Sequence, residues 1–174
     1  EIGIFLSLAL IGGVIAQIPI GYLADRFDRR GVLILLSFLS IICSATLTIV
    51  SGDNFYIFSI FVFLFSFFAL PLFSVAAAHA NDFSEQEFFV DLAASLIFIY
   101  GVSAILCTVI VSGLFEIFGS GVLFIYIGIV HLLLCVFGAY RMTIRPTVED
   151  KKPYLVVPRT SFVFLKMFKK SKSE

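Results

Sequence analysis

The decapeptide Gly21-Tyr22-Leu23-Ala24-Asp25-Arg26-Phe27-Asp28-Arg29-Arg30 gathers three arginines and two aspartates. It is the densest set of groups in the chain able to form ion pairs. Such pairs can hold and release a contact, but they break no covalent bond. A second polar set follows in His79-Ala80-Asn81-Asp82-Phe83-Ser84-Glu85-Gln86-Glu87, with Asp91 beyond it. The expectation is a switchable contact between Arg26, Arg29 or Arg30 and Glu85, Glu87 or Asp91. The alternative is that each charge is simply solvated, because an exposed pair contributes only about 0 to 1 kcal/mol. His79 and Asp82 alone are too few for a metal site, and neither metal nor other cofactor is expected. Cys43, Cys107 and Cys135 fall inside apolar runs without metal-like spacing, so they read as packing residues. Isolated serines and His131 do not make a nucleophile, base and orienting group, so no enzyme is expected.

The elements that hold these groups are apolar and long. Hydrophobic residues make up 60% of the chain and charged ones 14%, outside the range of soluble domains. Continuous apolar runs cover about 2–22, 32–50, 55–78, 88–115 and 122–140. Each is close to the roughly 20 residues a spanning helix needs. Barrel strands are shorter and alternate in polarity, which these runs do not. The reading is an all-α integral membrane protein of five transmembrane helices, in which the decapeptide is a tight loop and residues 142–174 form a basic tail.

Bases set the orientation. Arg26, Arg29 and Arg30 lie in the first connection, and the other nine of the 12 bases follow the fifth span from Arg141 onward. The turns at Ser51 to Asn54 and Glu116 to Gly121 carry none. The decapeptide, the His79 to Glu87 connection and the tail are therefore expected to be cytoplasmic, in a multi-pass protein of the cell membrane. A formal net charge of zero gives no reason to expect nucleic acid as a partner. The tail, with eight bases against three acids and Phe162, Phe164, Leu165 and Phe168 interleaved, either lies on the anionic inner leaflet or is solvated. The chain begins at Glu1 directly in an apolar run, which reads as a fragment whose upstream part is missing.

Within the spans, Ala9, Gly13, Gln17 and Gly21 recur every four residues, with Gly12 and Ala16 beside them. This stripe serves close helix packing or puts Gln17 at a cavity wall. Pro19 is expected to kink the first span, and the third carries Pro71 near its cytoplasmic third. Tyr100, Ser103 and Cys107 share one face of the fourth and are candidate cavity residues; Ser59 and Ser66 either line a pore or bond their own backbone. His131 is the one ionisable group near a midplane, held in packing or used in coupling. Ser84 and Glu87 have capping-box spacing and are expected to start the fourth helix.

The stretch Gly21-x-Leu23-Ala24-Asp25-Arg26-x-x-Arg29-Arg30 resembles the signature loop of the major facilitator superfamily, Gly-x-Leu-Ala-Asp-Arg-x-Gly-Arg-Arg/Lys. Asp28 departs from it by standing where the family has Gly. Five spans and a tail fit helices eight to twelve of that fold; helices two to six also give five spans. His79-Ala80-Asn81-Asp82 and Val157-Pro158-Arg159-Thr160-Ser161 are similar to the carboxyl half of a bacterial YcaD-like branch. The resemblance implies a secondary transporter moving a small-molecule substrate across the lipid bilayer of the inner membrane by alternating access, together with the amino-terminal half of the same protein. It also implies that Asp25 pairs with an arginine, accepts hydrogen bonds at the start of the helix beginning near Ser84, and latches the cytoplasmic side with Arg26, Arg29 and Arg30. Gln17, Tyr100 and Ser103 would then lie near the cavity. The runner-up is a membrane anchor or assembly subunit without transport.

Overall fold

The computed structural model describes residues 2–50, 54–119 and 121–144. The tail from 145 onward lies outside them, and with it the expectation of an inner-leaflet contact. The described chain is helical throughout: α1 (Ile2–Arg26), α2 (Arg29–Val50), α3 (Phe55–Ala69), α4 (Pro71–Asp82), a 3-10 turn (Gln86–Phe88), α5 (Phe89–Phe118) and α6 (Val122–Ile144). With α3 and α4 counted as one span, five helices are long and apolar enough to cross a membrane. The all-α, five-span reading holds.

Element ends follow local chemistry. Asn54 caps α3, its side-chain oxygen accepting from the backbone N–H of Tyr56 and Ile57 at 3.1 and 3.4 Å. At Leu70 the chain keeps helical dihedrals, φ −67° and ψ −35°, and Pro71 opens α4 at its first position. A proline has no N–H and cannot continue the ladder of hydrogen bonds, so the third span becomes two helical pieces joined through the single residue Leu70. Pro19, expected to kink the first span, lies inside an α1 that is helical on both sides of it. The helix is not interrupted there.

Packing is uneven along the chain. α2 is the hub, in contact with α1, α3, α4 and α6, while α1 lies on α3 and α4. The small-residue stripe of α1 is the reason for that closeness. A Cβ on Gly12 would come within 2.5 Å of the Phe63 carbonyl oxygen, and one on Gly13 would overlap the Leu70 side chain. Gly128 and Gly138 admit α2 to α6 in the same way, against Ser44 and Ile34. The main core is Ala16, Ile20, Ala24, Val32, Leu36 and Val75, with Leu23, Leu33, Phe67, Phe68 and Leu72 against it. It lies directly beneath the decapeptide, so the charged groups stand on a rigid base.

By contrast α5 contributes no buried residue and touches only α4, α6 and the 3-10 turn among the described residues. Its apolar side chains, such as Phe98 at 71% and Ile117 at 74% exposed, face outward, as do Val14, Ile18 and Ile49 on α1 and α2. Surfaces this apolar are stable against lipid and not against water.

Candidate functional site: the charged cluster at the end of the bundle

The break between α1 and α2 is short. The Phe27 amide still bonds the Leu23 carbonyl at 2.9 Å, and the Val32 amide bonds the Asp28 carbonyl at 3.0 Å. Only Phe27 and Asp28 lie between the two helices. The decapeptide is thus mostly helix rather than the expected tight loop. Each helix runs on because its first or last turn finds partners in the other's charged side chains.

Arg29 is the centre. It is 2% exposed, and its Nη1 donates to the Ala78 carbonyl at 2.5 Å and to the Asp82 carboxylate at 2.9 Å. Its Nη2 donates to Asp25 at 3.3 Å. Asp82 is as deeply placed as the guanidinium, with a side chain 2% exposed, whereas the Asp25 side chain is 36% exposed. One planar cation therefore joins the end of α1, the start of α2 and the end of α4. The carbonyl it takes is in the last turn of α4, where the aligned peptide dipoles leave partial negative charge. A guanidinium buried this far is stable only because two carboxylates and a carbonyl replace its water.

The neighbouring bases do other things. Arg30, 9% exposed at its side chain, is forked onto Asp28, with Nη2 to Oδ2 at 2.9 Å. Arg26 is exposed and lies 4.2 Å from the centroid of the Tyr22 ring, a cation–π contact one turn back along α1. Gly21 is buried one turn before Asp25.

The acid beyond the decapeptide that meets Arg29 is Asp82, where the sequence pointed to Glu85, Glu87 and Asp91. These three are exposed, and none belongs to an ion pair found among the described residues. The reason is where α4 stops. It continues to Asp82, one turn past Ala78, so that the Ala78 carbonyl and the Asp82 carboxylate fall on one face. The capping box is also not made as expected. The Ser84 amide bonds the Asn81 carbonyl at 3.3 Å and its hydroxyl donates to the Glu85 carbonyl at 3.2 Å, so Ser84 belongs to the turn that closes α4. The 3-10 turn intervenes, and α5 starts with Phe88 at its cap position and no side-chain cap bond. Asp25, for its part, meets Arg29 of the next helix.

The cavity candidates are not brought together. Gln17 is half-buried on α1, and α1 makes no contact with α5 among the described residues. On α5, Tyr100 lies against Phe73 of α4 with ring centroids 5.3 Å apart, while Ser103 is exposed. Cys107 accepts from the Tyr126 hydroxyl at 3.9 Å. Ser59 and Ser66 are buried at helix contacts. His131 has Nδ1 2.8 Å from the Ile127 carbonyl and its ring edge-on to Phe65, which is a packing role. His79 packs edge-on against Phe83 with centroids 5.1 Å apart. Among the described residues no three of His, Cys, Asp and Glu converge as a metal site would require.

The family model described as Major Facilitator Superfamily matches residues 1–173. A comparison with curated proteins and with solved structures found no match.

Proposed function

Because the chain belongs to the major facilitator superfamily, whose members are transporters, we propose that it is helices eight to twelve of a secondary active transporter that moves a small solute by alternating access. The amino-terminal half of the same protein completes the fold, and the likeness at His79 to Asp82 favours the YcaD-like branch. The basic ends of α1, α2 and α6 lie on the cytoplasmic side of the cell membrane, the bacterial inner membrane. Gln17, Tyr100 and Ser103 approach the solute path once the other half is present, which is consistent with the open outer surface of α5. The machinery is non-enzymatic.

The observation that carries the reading is the buried Arg29 with its three acceptors on α1 and α4. Such a joint is a cytoplasmic latch: two carboxylates and a carbonyl hold one cation, and a shift of α4 breaks the Ala78 and Asp82 bonds together while Asp25 of α1 stays beside Arg29. Asp25 is the accessible member and the one free to change partner between states. Glu85, Glu87 and Asp91, solvated at the start of α5, are the acids available to Arg26 when the bundle rearranges. In the full-length transporter, Asp25→Asn and Arg29→Ala are expected to cut solute flux, measured over a broad compound panel, while the protein stays in the membrane. Unchanged flux in both variants contradicts the latch. A gene without further apolar segments upstream contradicts the transporter half.

A further inference from the structure

Resting on that latch, we propose that Asp28 is its positioning residue: it fixes the rotation of α2 so that Arg29, and not Arg30, faces the end of α4. Arg29 and Arg30 are consecutive in a helix, so they point roughly 100° apart around its axis. Only one can meet the Ala78 carbonyl and Asp82 in a given rotation. Both are buried bases at the first turn, and charge alone does not choose between them.

Asp28 makes the choice with both halves of its structure. Its carbonyl accepts the Val32 amide at 3.0 Å, the first hydrogen bond of α2. Its Oδ1 accepts the Arg30 amide at 3.0 Å, a cap on the second residue of the helix. The same carboxylate takes the Arg30 guanidinium, Nε at 3.2 and 3.3 Å from the two oxygens and Nη2 at 2.9 Å from Oδ2. Backbone cap and side-chain fork come from one residue, so the turn and the Arg30 side chain are locked as a unit. Arg30 is thereby held on its own loop. Arg30 follows Arg29 directly in α2, so an Arg30 released from Asp28 is the base next in sequence to compete for the acceptors of Arg29. A glycine, which the resembled pattern has here, supplies neither cap nor counter-charge.

The test uses the full-length transporter in lipid nanodiscs, with spin labels at Leu35→Cys on α2 and Ala76→Cys on α4, both exposed, in a background lacking the native cysteines. The label–label distance reads the rotation of α2 against α4. Asp28→Gly is expected to broaden and shift the distribution, and Asp28→Glu, which keeps the charge, to restore part of it. Asp28→Asn, which keeps the cap oxygen, and Arg30→Gln are each expected to broaden it less, and the double variant no more than either alone. On an Arg29→Gln background, Asp28→Gly is expected to cause no further loss of flux, because Asp28 acts through Arg29. An Asp28→Gly distribution as narrow as the parent's, or losses of flux that add on the Arg29→Gln background, overturns the positioning role. Arg29→Gln with parent flux and parent distances instead removes the latch itself, so the two failures are told apart.

Discussion

Arg29 and its acceptors show how burial ranks carboxylates of the same kind. Asp82 is buried with the guanidinium, and Asp25 is more than a third exposed. Removing the buried partner leaves the buried cation only the Ala78 carbonyl and the more exposed Asp25, a loss that approaches the cost of a broken buried pair, about 3 to 5 kcal/mol, whereas losing the exposed one costs about 0 to 1 kcal/mol. Asp82→Ala is therefore expected to lower the unfolding temperature in detergent markedly, and Asp25→Asn to leave it close to the parent. Equal shifts would contradict the ranking. Of this site, the sequence singled out Asp25 and Arg29 as charges set between apolar runs, but it pointed to Glu85, Glu87 and Asp91 as the loop acids. Asp82 was not among them. Glu85, Glu87 and Asp91 suit the positive start of a helix by type and position, and nothing in the order of residues says that α4 continues one turn past Ala78. Spacing gave Asp28 as a departure from a pattern; its two roles are visible only with the Arg30 amide and guanidinium in place.

Among the elements, α1 and the α3–α4 span depend on what glycine lacks. Gly13 faces the Leu70 side chain at the point where Pro71 interrupts the helical ladder, and Gly12 faces the Phe63 backbone. Gly12→Leu should force α1 away from backbone that cannot yield, and loss of folded protein in detergent would show it. Gly31→Ala has open space around it and a helical backbone, so it should stay within about 0.5 kcal/mol of the parent in thermal unfolding. The reverse order of these two variants would contradict the packing described. Five spans were legible because apolar length alone decides them. The division at Leu70 and the 3-10 start before α5 were not, since each depends on which backbone groups the neighbouring turn has already satisfied.

At the scale of the molecule, the main core lies next to the charged end, while α5 buries no residue of its own among the described ones and touches only α4, α6 and the 3-10 turn. The proposed latch at Arg29 joins α1, α2 and α4 next to that core, which is the coupling that the proposed alternating-access gate requires. The proposed sidedness predicts that a cysteine at Arg141 is labelled by a membrane-impermeant reagent only from the cytoplasmic side of vesicles; labelling from outside would invert the topology. The measurement that bears most directly on the account is solute flux through the full-length transporter reconstituted in vesicles, compared between parent and Arg29→Ala at matched protein content. With Arg29 as the latch, a large loss of flux is expected while the protein stays folded in the bilayer. Flux equal to the parent's would contradict it.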